Sequence, residues 1–493
     1  MKKRNASLLP VASRDEREDP MIRELERRLA RPQRHRLLQG YPMAPLSTPL
    51  EGPRDPLADL VDDPDRALLV GVMPHTFCTP KVEGCGFCTF PHERYAGALL
   101  RRSVDAVERE IDATLARHPW LAERRVEAVY FGGGTANLLP PDQLDRLLAA
   151  LGRGFDLAQS ELSLEGVPRF FAVRRFALLD VLERAPVRHR RISMGVQTFD
   201  PSWIERMGRD AFGDRAEVER LVIEAHRRGL TASADLLFNL PGATVDHALD
   251  DVRQAIELGL DQVCVYNLVL TADLDTRWAR EPSLVARMPS PEVALVTWLA
   301  VREALLGAGY VQTTLTNFER VDVARTARRF VYEAASFDPA RHDAIGFGPG
   351  GISTFTYDDP RGGGARLARK WMNAGLSSAF ADAIEADEPA ASSVFDYSPR
   401  DLRLLHVTRN LSGLGIDRDR YAAFFGTELE ADYAAPLGAA MDRGLLVEVG
   451  RRIEPTPPGM FYADAVAGSF AAARVSELRG EGDPNVATRH HMG

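Results

Sequence analysis

Cysteine is almost missing from this chain, with four in 493 residues. That count, at this length, excludes a small domain stapled by disulfides. Long apolar runs are missing too. Nothing approaches the roughly 18 consecutive apolar residues that cross a bilayer. The opening MKKRNASLLPVASRDERED has a basic start, but its apolar piece LLPVA is too short for a secretory signal. The expectation is a cytoplasmic protein with no membrane partner. A basic excess is also absent. Lys and Arg number 61 against 70 Asp and Glu, a net charge of −9, which argues against a nucleic-acid partner. The remainder is ordinary. A 45% hydrophobic fraction at this length supports a large core and two or three domains.

What is present has a rhythm. Residues 1–65 are rich in Arg, Pro and Asp and read as an N-terminal arm, with one polar helix in RELERRLARPQRHRLLQ and no core of its own. From 66 onward short β-rich runs recur: ALLVGVMPH, VEAVYFGGG, ELSLEGVP, RISMGVQTF, TASADLLFNLP and QVCVYNLVL. Helix-like segments separate them. TVDHALDDVRQAIELG, for example, has a Thr cap and a Gly stop at 259. Six strands alternating with helices predict repeated βαβ units on a parallel sheet, an α/β fold. Periodicity leaves an open sheet and a barrel equally possible. Either places its site at the carboxyl ends of the strands. The unusual residues fall there: Cys78, Cys85 and Cys88 after the first strand, GGGT after the second, Glu165 in the third, Gln197 in the fourth and Asp235 in the fifth. The core is expected over 66–360. A C-terminal domain of helices and a small hairpin is expected over 361–475, and a disordered tail over 476–493.

Three of the four cysteines lie in FCTPKVEGCGFCTF, spaced C-x6-C-x2-C between Gly84 and Gly86. Buried inert thiols are one reading. A structural zinc site is another, needing a fourth ligand such as His75 or His92. The third is an iron–sulfur cluster. Three thiolates leave one iron of a [4Fe–4S] cluster open to a cofactor's nitrogen and oxygen, the arrangement that radical chemistry with S-adenosylmethionine (SAM) requires. Cys264 sits mid-strand and reads as a buried thiol. The histidines of the terminal RHHMG read as incidental.

Taken in order, FCTPKVEGCGFCTF, VYFGGGTANLL, LSLEGVP, RISMGVQTFDPSWIERMGR, DLLFNLPGAT, GLDQVCVYNLVL, GYVQTTLTNFER and IGFGPGGISTF resemble the radical SAM enzymes, and within them the oxygen-independent coproporphyrinogen III oxidase family. The resemblance spans about 67–465. It implies a partial (β/α)6 barrel with a C-terminal domain similar to a winged helix, here serving as a lid or substrate platform. Cys78, Cys85 and Cys88 would hold the cluster, with Phe87 shielding it near adenine. Gly132, Gly133, Gly134 and Thr135 would meet SAM's methionyl end. Glu165, Gln197, Arg209 and Asp235 would also bind SAM, Arg209 through its carboxylate. A second SAM would sit near Asp235–Pro241. A small-molecule substrate and a low-potential electron donor such as flavodoxin are the implied partners.

Three features depart from that family's pattern. The first cysteine gap is three residues longer. VMPHTFC puts Val72 where the oxidases carry Tyr and Pro74 before His75. GFGPGGISTF puts Gly351 and Ile352 where the family has Ala and His. These departures imply a specialised relative. The expectation is a class C methyltransferase or cyclopropanase, moving a methyl or methylene group from the second SAM to an sp2 carbon of a natural-product intermediate, with a possible partner methyltransferase. The alternatives are a porphyrin enzyme (coproporphyrinogen III dehydrogenase or a haem-degrading methyltransferase) and a non-enzymatic haem chaperone.

Overall fold

The computed structural model describes residues 9, 19–33, 41–78, 85–90, 93–359 and 366–480. Six strands run parallel in chain order: β1 (Ala67–Val72), β2 (Val126–Phe131), β3 (Glu161–Gly166), β4 (His189–Gln197), β5 (Thr231–Phe238) and β6 (Gln262–Asn267). They are buried on both faces, through Val, Leu, Ile and Ala for the most part and also through Glu161, Ser163, Arg191 and Ser193. Helices Gly97–Arg117, Pro141–Gly154, Pro168–Arg184, Arg215–Arg227 and Val245–Glu257 make the crossovers. The last starts as its sequence predicts, with Thr244 accepting from the His247 N–H, and Gly259 follows it at φ 70°. Pro168–Arg184 is broken inside, because Arg174, Arg175 and Phe176 take left-handed angles.

The sheet does not stop at the six strands. His342–Phe347 pairs parallel to β1. Ile352–Asp358, Arg366–Asn373 and Ala391–Tyr397 then add on antiparallel, with Thr48–Pro49 at the edge. On the other side Asn317–Arg320 and Tyr310–Gln312 extend it from β6, giving 13 strands. The expected boundary at 360/361 therefore falls between two paired strands of one sheet. Beyond it, helices Pro399–Ser412, Arg418–Phe425 and Leu429–Asp442 surround a hairpin, Leu446–Val449 with Arg452–Pro455. The last helix, Ala463–Leu478, runs past the point where a tail was expected at 476. Residues 481–493, including the terminal histidines, lie outside the described residues.

The N-terminal segment differs from a coreless arm. Helix Pro20–Leu29 buries Ile22, Leu25 and Leu29 in the main core and packs against helix Ala463–Leu478. Three apolar positions at helical spacing suffice for this stripe, and two charged residues between them reach the C-terminal helices, Glu26 pairing with Arg443 and Arg28 lying against Gly468. Gln33, buried, fastens the end of this segment. Its Nε2 donates to the carbonyls of Arg28 and Arg31, its Oε1 accepts from Ala465 N, and its own carbonyl accepts from Asn267 Nδ2 at 2.7 Å. Since Asn267 ends β6, the segment lies at the carboxyl end of the sheet. Among the described residues, no helix is long and apolar enough to cross a membrane.

Candidate active site

The carboxyl end of β1 continues through Met73–Phe77 into Cys78. The Met73 N–H donates to the Phe347 carbonyl, which fixes this exit against the neighbouring strand. Cys85 is buried, and Cys78 and Cys88 are half-buried. Cys78, Cys85 and Phe87 share an apolar cluster with Val167 and Phe212. Each of the three sulfurs accepts one hydrogen bond from a different donor. Thr135 Oγ1 donates to Cys78 Sγ at 3.4 Å, Arg209 Nη1 to Cys85 Sγ at 3.0 Å, and Phe90 N to Cys88 Sγ at 3.4 Å. Burial pushes the Cys78 thiol up to about 11, opposed by Thr135 and Arg209. Burial raises Cys88 as well, opposed by the Phe90 N–H. Without a metal both thiols therefore keep their protons at neutral pH, and metal binding must release them.

Gly86 sits at φ 85°, and a Cβ there would lie 2.3 Å from the indole of Trp278. The Trp278 backbone N–H donates to the Gly86 carbonyl, and the indole ring lies 5.6 Å from that of Phe87. Phe87 is therefore held by Trp278, which the sequence did not single out. The expected flank at Gly84 and the candidate zinc ligand His92 lie outside the described residues. His75 is buried, stacked on Phe77, and its Nδ1 accepts from the Phe77 N–H. Burial pushes its pKa down to about 4.

The glycines after β2 touch this loop. A Cβ on Gly134 would stand 2.8 Å from the Phe77 carbonyl, and one on Gly133, at φ 103°, would stand 2.5 Å from Met73 Cγ. Thr135 N donates to the Phe77 carbonyl at 3.1 Å. At Gly134 no side chain fits, so its backbone meets that of Phe77 directly, while Gly133 takes a left-handed angle against the Met73 side chain. Glu165 on β3 accepts from Tyr130 Oη at 2.8 Å, and both flank Gly132. Gln197 ends β4 at φ 75°, where the pairing with β5 shifts register. Its Nε2 and Arg209 Nη2 lie 3.2 and 3.7 Å from the position of a Cβ on Gly195. Asp235 lies opposite Gly195 on one side and Cys264 on the other. Cys264 itself is buried and donates to Asn317 Oδ1 at 3.3 Å. Arg209 contacts a cysteine sulfur, the Gly195 carbonyl and the face of Phe212.

The donor set fits an iron–sulfur cluster. Three thiols stand on one loop, Val167, Phe212 and Phe87 form an apolar wall beside them, and N–H and O–H groups are aimed at the sulfurs. Among the described residues, no three His, Cys, Asp or Glu side chains close on one point as a single ion requires. Clusters take each thiolate on its own iron, so their ligands stand further apart.

The profile of the radical SAM superfamily matches residues 73–255. This segment is a radical SAM domain. Its cofactors are a [4Fe–4S] cluster and S-adenosylmethionine. The solved coproporphyrinogen III oxidase (HemN) of Escherichia coli has the same fold, with a TM-score of 0.70 and 23% identity over 87% of this chain and 96% of that one. The oxygen-independent coproporphyrinogen III oxidase of Bradyrhizobium diazoefficiens is 27% identical over 71% of this chain and 75% of its own length. The heme chaperone HemW of Haemophilus influenzae is 28% identical over 47% of this chain, and the match spans 58% of that relative's length. Anaerobilin synthase of Escherichia coli O157:H7 is 26% identical over 78% and 80%. The matched segment thus runs from the cysteine loop through β2–β5, while the fold match extends well beyond it.

Proposed function

We propose that this chain is a radical SAM enzyme acting on a tetrapyrrole. The observation that carries the chemistry is the convergence, at one end of a parallel sheet, of the cysteine loop, the glycine turn Gly132–Thr135 and the polar side chains Glu165, Gln197, Arg209 and Asp235. When bound, the cluster supplies the electron that cleaves SAM to methionine and a 5′-deoxyadenosyl radical. The chain's own residues do the rest. Cys78, Cys85 and Cys88 hold the cluster. The close-approaching backbone of Gly132–Gly134 and the Tyr130-oriented Glu165 receive SAM. Trp278 and Phe87 keep water from the loop.

The substrate class is supported by the relatives, whose names are tied to coproporphyrinogen, haem and anaerobilin. A cavity adds to it. About 1230 Å³ opens between helix Pro20–Leu29, the C-terminal helices and Val269–Asp273, just past the end of β6. Its size suits a large ligand, and its lining carries both signs, Arg27, Arg31, Arg400 and Arg479 beside Glu24, Asp273, Asp432 and Asp464, with Arg27 paired to Glu24 and Arg400 to Glu477.

Transfer of a methyl or methylene group from a second SAM is the other reading. What favours it is Val72, which is buried and has no hydroxyl where the oxidases carry Tyr. One experiment separates these. The protein is reconstituted anaerobically with iron and sulfide, then given dithionite, methyl-deuterated SAM and coproporphyrinogen III. Porphyrinogen-dependent, undeuterated 5′-deoxyadenosine is the expected result. Deuterium in the deoxyadenosine would move the assignment to methyl transfer. Stable haem binding with no deoxyadenosine would make the protein a carrier.

A further inference from the structure

The cysteine loop leaves the sheet at Thr76 and returns at Glu93, where Phe77 and Glu93 form an isolated parallel bridge. The Glu93 side chain turns back onto the exit. Its Oε2 accepts from Thr76 Oγ1 and from Ser377 N at 2.6 Å, and its Oε1 accepts from Ser378 Oγ at 3.0 Å. Thr76 N donates to Ser377 Oγ at 3.0 Å, closing the ring of contacts. Ser377 and Ser378 begin the helix Ser377–Glu385, which lies far along the chain on the sheet extension. One carboxylate therefore joins both feet of the loop to a rigid element. Burial alone would raise its pKa, but hydrogen bonds from Thr76, Ser377 and Ser378 hold it below the ordinary range. The other face of the same foot carries the glycine turn, through Thr135 N on the Phe77 carbonyl.

We propose that Glu93 is a positioning residue for the cluster. It clamps the feet of the cysteine loop so that Cys78 and Cys88 are presented together against the Gly132–Thr135 turn. The need follows from the sequence. Six residues separate Cys78 from Cys85, and ordering a closed loop costs entropy. A charged acceptor bonded to three donors at the base offsets that cost.

The inference rests on the reading of the cysteines as cluster ligands, so the test includes a variant for each. Wild type, Glu93→Ala, Glu93→Gln and Cys85→Ala are reconstituted anaerobically. Bound iron and sulfide are counted, and cluster loss to a chelator is timed by absorbance. Thermal melting of the metal-free proteins reports on folding. Glu93→Ala is expected to lose its cluster about tenfold faster or more, the scale seen when groups that orient metal ligands are removed. Its metal-free form should still fold, with a melting point lowered by only a few degrees because Thr76 and Ser377 N lose their acceptor. Glu93→Gln should recover most of the lifetime, because its amide oxygen still accepts from Ser377 N. A wild-type lifetime in Glu93→Ala, with the cluster lost in Cys85→Ala, would overturn the role of Glu93 alone. Full iron in Cys85→Ala would overturn the ligand reading beneath it. If Glu93→Ala does not fold, Glu93→Gln and Ser378→Ala decide. Faster loss in Ser378→Ala supports the clamp, and wild-type lifetimes in both overturn it.

Discussion

Gly86 cannot carry a side chain. Its φ of 85° lies in the region L residues avoid, and a Cβ would sit inside contact distance of Trp278. Gly86→Ala forces the indole to move or the loop to open. The expected cost is about 2–4 kcal/mol, the sum of left-handed strain and overpacking. Less iron should be retained after reconstitution, and Trp278 emission should shift to the red; a variant with wild-type iron content and emission would refute the packing role. The residue scale also shows what sequence can and cannot reveal. Cysteines and glycines declare themselves, because few other residues do their work. Trp278, Tyr130 and Glu93 do not, because their importance lies in a partner 35 to 284 positions away in the chain. Glu93 looks like any loop carboxylate until Ser377 and Ser378 arrive beside it. Arg209 was legible as a functional arginine, yet its contact with Cys85 Sγ depends on how the turn after helix Pro201–Arg206 folds back.

At the scale of elements, the β/α alternation was readable because each strand holds a short stretch rich in apolar and β-branched residues and helix-like segments with end signals lie between them. The sheet extension was harder to read. Arg366–Asn373 carries Arg369 and Lys370 in its middle, a pattern unlike a buried strand. Both are buried nonetheless, Arg369 paired with Asp59 and Asp396 and Lys370 donating to the Pro42 carbonyl at 2.9 Å. The helix Pro20–Leu29 was legible as a helix but not as part of the core. Its attachment is testable at Gln33. Gln33→Ala leaves Ala465 N without its acceptor and the Arg31 carbonyl without the Gln33 donor, while the Arg28 carbonyl keeps the Arg31 N–H. A loss of about 1–3 kcal/mol is expected, typical of one buried group left unsatisfied. Because the segment also meets Asn267 at the mouth of the sheet, limited proteolysis should cut the N-terminal segment faster in the variant while helix Val245–Glu257 stays protected. Equal cutting of both proteins would mean that the segment is held by its apolar stripe alone.

For the whole molecule, buried titratable groups set opposing slopes on stability. Glu110 accepts from Gly348 N and Asn373 Nδ2, and burial pushes its carboxyl up to about 8. From its ordinary value of 4.5 up to about 8 the folded chain keeps a proton that the unfolded chain has released, so this group makes stability fall as pH rises. Histidines act in the other direction. His406 is buried among Tyr421, Phe424 and Phe425, and burial pushes its pKa down to about 4, with Asp338 opposing. Between 6.5 and about 4 the unfolded chain gains a proton there that the folded chain refuses. Its contribution is therefore intact above 6.5 and is lost as pH falls through that window. His75, also near 4, adds the same sign. A difference measurement isolates one group, since the others cancel. Urea unfolding of wild type and His406→Phe is compared at several pH values. At pH 7 and above the two should differ by a constant amount. Below 6.5 the wild type should lose stability relative to the variant by up to about 1.4 kcal/mol per pH unit, one proton's worth, levelling near pH 4. A constant difference down to pH 4 would mean that His406 takes up its proton inside the folded protein as easily as in water, and the aromatic enclosure around it would then have to be open to solvent.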